Sequence, residues 1–389
     1  MSNRQEKSQV AIVECSSYDE QEVQDAIERG IQLLGGIDKF ISQQDQVLLN
    51  PNLLSKHVPE DCVTTHPAVF KAVAKKISNF SSKKVLYGDS PSQGNPKKVA
   101  EKAGLIEVGE ELDLSYVDFE EGQEIFIDND NRSRKYKIAT PVLEADTVIN
   151  LPKLKNHNLT RITGAVKNTF GCVPGFNKPE LHLKLPEADR FSKMLVELQK
   201  FINPSLHIMD GVMGMEGEGP NSGDPIPVNI LLFSSDPVAL DTVFSKIINL
   251  DPKKVDTNRY GKKAGLGFLE DSRIELIGDD IADFIIEDFE VYRGIETAQH
   301  PLLKYNFLKS FFSRKPVINA ETCIACGACI EQCPTDPKSL FRQQKNSIPK
   351  YDYDRCIRCF CCHEICPEKA ISIQEPLLRK LVDWYYKIT

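Results

Sequence analysis

The chain has 389 residues, 41% of them hydrophobic, with 48 Lys and Arg against 56 Asp and Glu, a net charge of −8. That length points to two or three domains, and the acidic balance argues against general nucleic-acid binding. No apolar run approaches the ~18 residues of a membrane span, and the polar start MSNRQEKSQV shows no secretory signal, so a cytoplasmic location with reduced thiols is expected.

The first three quarters alternate short β-like runs with amphipathic helices. Residues 9–15 (QVAIVEC) read as a strand and residues 20–34 as a helix that stops before Gly35-Gly36. Residues 46–50 form a second strand. From His66 to Phe80, Phe70, Val73, Ala74 and Ile77 fall on one helical face. Residues 83–89 (KKVLYGD) give a third strand, followed by the loop SPSQGNP and a helix closed by Gly104. The stretch 105–145 is irregular and acid-rich, and reads as a β-type insertion. Residues 147–152 (TVINLP) are a further strand. Residues 189–202 form a helix with Met194, Leu195, Leu198, Phe201 and Ile202 on its apolar side. Residues 206–210 and 228–233 are strands on either side of a glycine-rich loop, and Asp236 then caps a helix with Pro237 in its first turn. Strands alternating with helices predict an α/β fold over residues 1–295, a mainly parallel sheet with helices on both faces. A connector at 296–317, a small α+β domain at 318–374 and a C-terminal helix at 375–389 complete the expected organisation. Phe307, Phe311, Phe312, Trp384, Tyr385 and Tyr386 are expected to pack the connector and tail against the small domain rather than face a membrane.

Eight of the twelve cysteines fall into two copies of one spacing in that small domain. CIACGACIEQCP carries Cys323, Cys326, Cys329 and Cys333; CIRCFCCHEICP carries Cys356, Cys359, Cys362 and Cys366. Both are C-x2-C-x2-C-x3-C-P, the run that holds cubane clusters in bacterial ferredoxins, where each run lends its fourth cysteine to the other cluster. The expected ligand sets are therefore Cys323, Cys326, Cys329 and Cys366 for one [4Fe–4S] cluster, and Cys356, Cys359, Cys362 and Cys333 for the second. Zinc would find consecutive C-x2-C-x2-C loops crowded for a tetrahedral site, and disulfide frameworks belong to short secreted chains. Of the other thiols, Cys15 and Cys62 read as buried apolar residues, Cys361 as a packing neighbour of a cluster, and Cys172 as one worth testing.

A second centre lies at 150–178, NLPKLKNHNLTRITGAVKNTFGCVPGFNK, which carries Lys153, Lys155, Arg161, Lys167, Lys178 and His157 and no acid. It begins at the C-terminal end of a predicted strand, the edge where open parallel sheets bind ligands. Thr163 and Gly164 sit where a helix could start and offer N–H groups to an anion. An anion pocket built by Lys153, Lys155, His157, Thr163, Gly164 and Lys167 is expected, for a carboxylate or phosphate. Taken singly, each lysine reads more readily as a solvated residue paired with the acidic 105–145 region; the whole cluster, placed after a strand among Gly, Thr and Asn, reads as a site. Asp210 opens the glycine-rich loop, which carries Glu216, Glu218 and Asp224. Asp210 and Glu216 could move protons or bind a divalent ion, while Asp236 caps its helix and Asp241 could be partly buried. His66 reads as a capping or packing residue. Lys155, His157, Lys167, Asp210 and Glu216 are the catalytic candidates.

The segments PNL at 51–53, TTHP at 64–67, GDSP at 88–91, NLPKLKNH at 150–157, TGAVKNTFG at 163–171, MDGVMGMEGEGP at 209–220 and SDPVALD at 235–241 resemble the domain-of-unknown-function 362 family of iron–sulfur proteins. The C-terminal module resembles a bacterial two-cluster ferredoxin. The resemblance implies no particular reaction, and where it would place a lysine before Pro51, Asn50 stands instead. The leading reading is an oxidoreductase of anaerobic type, transferring electrons between two clusters and an anionic small molecule, with a redox partner protein. A carrier or maturation factor that docks a partner through the basic stretch is the alternative, and a non-redox enzyme with structural clusters is a third. No G-x-G-x-x-G follows a strand, which leaves flavin and nicotinamide without a fingerprint.

Overall fold

The structure is a computed structural model that describes residues 7–92, 94–129, 132–294 and 313–376. The aromatic residues expected in the connector and tail, Phe307, Phe311, Phe312, Trp384, Tyr385 and Tyr386, lie outside the described residues, as does the C-terminal helix.

The main sheet uses β1 (Ser8–Glu14), β2 (Val47–Pro51), β3 (Leu86–Tyr87) and β4 (Ser115–Tyr116). After a separate hairpin of β5 (Gly122–Asn129) and β6 (Arg132–Ala139), it continues with β7 (Thr147–Leu151), β8 (Lys153–His157), β9 (Arg161–Thr163), β10 (Leu206–Glu216), β11 (Asp224–Ser234) and β12 (Ile274–Gly278). Strand order is β12-β1-β11-β10-β7-β2-β3-β4, with β8 added to β10 and β9 to β8. The pairs β1/β12, β10/β7, β7/β2, β2/β3 and β3/β4 are parallel, as the βα alternation predicts. β11 is antiparallel to both its neighbours, because a short turn returns it directly from β10.

Both faces are covered, and the pleat explains how. Ala11 and Val13 of β1 pack with the helices Glu20–Leu33 and Pro67–Phe80, while Val10 and Ile12 pack with the helix Pro237–Ile247. In β2, Val47 and Leu49 join the first core and Leu48 joins a third, under the helix Ala188–Ile202. A side chain such as Phe70, fully buried, contributes about 1.5–3 kcal/mol by leaving water. Helix starts follow their caps: Asp19, Asn95 and Asp236 accept backbone N–H groups of the following turn. His66 does the same for the helix opened by Pro67, so its capping role is observed directly.

Three expectations are corrected. The stretch after Asp210 is not a loop; β10 runs on to Glu216, since Val212 and Met215 are buried and only residues 217–223 make the turn. The chain does not leave the sheet at Pro152, the expected end of the strand 147–152: residues 153–157 and 161–163 form the hairpin β8/β9. Phe201, in the last turn of its helix, is exposed rather than buried with the apolar face.

The cysteine module contains β13 (Lys315–Ile318) paired with β16 (Ile371–Gln374), and β14 (Leu340–Phe341) paired with β15 (Lys350–Tyr351). It is seated on the α/β body. Phe360 enters the core around Phe191, Leu195 and Val238. The Arg314 guanidinium lies 3.8 Å from the Tyr292 ring centroid and donates to Asn158 O at 2.5 Å. His363 Nε2 stands 2.9 Å from Glu218 Oε2.

Candidate functional site

The eight motif cysteines line two separate cavities. One is bordered by Cys323, Cys326, Cys329 and Cys366 with Ile318, Pro349 and Ile371. The other is bordered by Cys333, Cys356, Cys359 and Cys362 with Leu340, Tyr351 and Phe360. Each therefore takes three sulfurs from one run and the last from the other. Among the described residues no three His, Cys, Asp or Glu converge as a single-ion site requires. The donor set suits an iron–sulfur cluster: soft sulfurs, apolar walls, and Tyr351 Oη 3.3 Å from Cys362 Sγ and Ala370 N 3.2 Å from Cys366 Sγ as donors. Burial pushes the Cys329 thiol up to about 11 and that of Cys362 well above the ordinary range, so both hold their protons until a metal displaces them.

The motif-bearing loops of the body meet at the C-terminal ends of β2, β3 and β7, where they form a buried chain of amides. Asn168 Nδ2 donates to Asn150 Oδ1 (2.7 Å) and Asn50 O (3.3 Å), and its Oδ1 accepts from Asn52 Nδ2 (2.7 Å). Lys155 Nζ donates to Asn52 Oδ1 (2.8 Å) and Val63 O (2.5 Å). Asp89 accepts from Leu53 N (2.7 Å) and Asn50 Nδ2 (3.3 Å). A Cβ at Gly171 would strike that carboxylate, so glycine alone allows the approach.

Above this chain lies a cavity closed on its far side by the cysteine module. Lys167, Lys178, His157 and His182 supply its basic groups, and Asp89 and Glu364 its acids. Cys361, between Cys359 and Cys362, lines the same space. Burial lowers the pKa of Lys167, brings Lys178 to about 8 and His182 to about 3, and raises Asp89 to about 6. Lys178 donates to Ser90 O, whereas Lys167 makes no hydrogen bond or close ion pair with any described residue. An uncommitted ammonium facing an enclosed space is suited to an anion.

The anion pocket expected from sequence is thus divided. His157 and Lys167 reach the cavity; Lys153, Lys155, Thr163 and Gly164 do not. Lys153, fully buried, donates to Asp210 Oδ2 (2.8 Å) and Tyr18 Oη (2.7 Å), and Asp210 also accepts from Tyr18 Oη (2.9 Å) and His66 N (2.9 Å). Its partner is therefore in β10, not in 105–145. The start of the helix Ala165–Asn168 is taken by an internal carboxyl group: Asp241 accepts from Ala165 N (2.6 Å) and Val166 N (3.1 Å), and Gly164 leaves it room. Burial raises the pKa of Asp241 to about 7. Glu216 accepts from Glu290 N (2.7 Å) at the end of β10, and neither it nor Asp210 lines the cavity. Cys15, Cys62 and Cys172 are buried, and Cys172 lies beside Asn50 Oδ1. Glu364, His182 and Cys361 were not legible as cavity residues, because two of them come from the module and nothing in the sequence says where it docks. Asn52 and Asn168 lay in plain view inside PNL and TGAVKNTFG.

Two family models match separate parts of the chain. A family model described as Domain of unknown function (DUF362) matches residues 47–246, and one described as 4Fe-4S dicluster domain matches residues 315–367. A thylakoid-associated protein of Synechocystis sp. is 38% identical over 259 residues, covering 66% of this chain and 79% of that protein. Among solved structures, the lactate racemase apoprotein from Thermoanaerobacterium thermosaccharolyticum aligns with a TM-score of 0.36 at 12% identity, over 60% of this chain and 55% of its own. A Thermotoga maritima protein gives 0.34 at 13% identity, over 58% and 57%. The chain spans little more than half of each of these two structures.

Proposed function

This chain belongs to the domain-of-unknown-function 362 family and ends in a 4Fe-4S dicluster domain, and from that premise we propose an oxidoreductase in which two clusters exchange electrons with a small anion held between the body and the module. Iron–sulfur electron transfer is the role its cysteine domain supports. The count of two clusters is supported by the two cysteine-lined cavities. The carrying observation is that Cys361, flanked by Cys359 and Cys362, shares one cavity with Lys167. Bound there, the clusters supply single electrons at a potential anywhere from roughly −700 to +450 mV, so direction is open to either sign.

The chain's own residues do the rest. Lys167 holds the anion by charge, and Phe170, Phe191 and Ile365 keep water from its apolar part. His157, held neutral by burial, and Asp89 are placed to orient its polar atoms. Docking of a partner through the basic stretch is not favoured, since Lys153, Lys155 and Lys178 are buried. A cytoplasmic site of action belongs to the same reading; among the described residues no helix is long and apolar enough to cross a membrane.

The test is an anoxic titration of the loaded protein with small carboxylates and phosphates, followed by the electron paramagnetic resonance of the reduced clusters. At least one anion should perturb the spectrum with an affinity weakened about tenfold or more in Lys167→Met, the loss expected for one buried charge-assisted contact. No perturbation by any anion would remove the basis of this reading.

A further inference from the structure

We propose that the outer face of the cysteine module is the docking surface for a small acidic one-electron carrier protein. The segment 338–350, KSLFRQQKNSIPK, carries Lys338, Arg342, Lys345 and Lys350 and no acid, in a chain of net charge −8. It includes the hairpin β14/β15. Lys338, Lys345 and Lys350 are exposed, and among the described residues none of the four cations forms an ion pair. Arg342 folds back and donates to Ala325 O (3.1 Å), Cys326 O (3.3 Å) and Lys345 O (2.7 Å), which ties the hairpin to the first cysteine loop.

That loop exposes Cys326, and Pro349 of the hairpin walls the cavity to which Cys326 belongs. Beside them stand Ile324, 61% exposed, and Phe341, 44% exposed, two of the seven large apolar side chains exposed among the described residues. The other cavity differs: Cys359 and Cys362 are buried, toward the body. The pair of sites thus has one end open to a protein partner and one end facing the enclosed cavity. Unpaired cations around a small apolar centre fit a carrier whose own exposed centre is ringed by carboxylates. Glu368 lines the rim of the same cavity, while Glu331, whose carbonyl accepts from Lys338 Nζ, and the exposed Asp336 stand beside the first lysine of the segment, so the attraction centres on Lys345 and Lys350. Cys323, Cys326, Cys329 and Cys366 would hold the centre that takes up the one electron given by the reduced carrier, a transfer in which no bond and no proton moves. The surface rests on the cluster-binding reading above and not on the identity of any small molecule.

The experiment uses the full-length loaded protein and a reduced plant-type [2Fe–2S] ferredoxin as the acidic probe. Its binding in the oxidised state and its rate of electron delivery are measured for wild type, Lys345→Glu/Lys350→Glu and Lys345→Arg/Lys350→Arg. Charge reversal should weaken binding and slow delivery about tenfold or more at low salt, with the difference fading at high salt. The arginine variant should behave as wild type, and photoreduced deazaflavin, an uncharged reductant, should reduce all three equally. Equal binding and delivery in the reversed variant would overturn the assignment. So would a reversal that abolished binding to anionic phospholipid vesicles while leaving delivery unchanged, which would make the face a membrane contact. Because no substrate enters the assay, its failure is separate from failure of the small-molecule reading.

Discussion

His157 and Glu364 face each other across the seam between body and module, with Nε2 and Oε1 3.5 Å apart. His157 Nδ1 accepts the backbone N–H groups of Leu159 (3.0 Å) and Thr160 (3.4 Å), so the neutral ring carries its proton on Nε2, toward the carboxyl. Burial holds the imidazole well below its ordinary pKa and pushes that of Glu364 up. The imidazole at the seam is therefore neutral, which leaves Lys167 as the cation facing the cavity without a hydrogen-bonding partner among the described residues.

Removing Asn168 should be costly. Its side chain serves Asn52, Asn50 and Asn150 at once, all of them buried. Asn168→Ala strands these groups at roughly 1–3 kcal/mol each, so a total loss of about 3 kcal/mol or more is expected in urea unfolding. A loss below about 1 kcal/mol would show that the amide chain does not hold the loops.

Asp241 should give the body a stability component that weakens with rising pH. Its folded pKa, about 7, lies above its ordinary 3.8, so the folded state holds the proton more tightly. That contribution is full below about pH 4 and is lost as pH rises through about 7, at up to roughly 1.4 kcal/mol per pH unit. The gap between wild type and Asp241→Asn in unfolding midpoint should therefore shift against wild type from pH 5 to pH 7.5. A constant gap would mean that the carboxylate stays charged on its two N–H donors.

His207 should act in the opposite sense. Burial depresses it from 6.5 to about 3, so the folded state excludes a proton that the unfolded chain accepts. Its favourable contribution is present above pH 6.5 and is lost as pH falls below it. Relative to His207→Gln, wild type should lose up to roughly 1.4 kcal/mol per pH unit between pH 6.5 and pH 5. An unchanged difference would show the imidazole to be protonated in place.

The fourth cysteines separate the two cavities. Cys366→Ala and Cys333→Ala should each lower iron from about eight to about four per chain after anoxic purification, because each removes one ligand from a different set. Zinc in place of iron, or both variants losing all iron while remaining folded, would contradict that partition.

Much of this was legible in the sequence because it is local. Strand positions, the caps at His66 and Asp236, and the cysteine runs follow from spacing and residue type. The split of the basic stretch was not read, yet it follows from one missed strand. In β8, period-two alternation puts Lys153, Lys155 and His157 on one side and Leu154 in the opposite core. Read as a strand, the run shows its lysines turned toward Asp210 and Asn52 instead of toward a ligand. What no local signal holds is the docking of the module, since Phe360, Cys361 and Glu364 find their neighbours some 200 positions away.

The most direct measurement is single-turnover reoxidation. The anoxically reduced, fully loaded protein is mixed with each anion that perturbs its clusters, for wild type and for Lys167→Met. At least one anion should reoxidise wild type, and at sub-saturating concentration should do so at least about tenfold more slowly in the variant, with iron content unchanged. Clusters that no such anion reoxidises, or that it reoxidises equally fast without the lysine, would contradict an anion reduced or oxidised in the cavity beside Cys361.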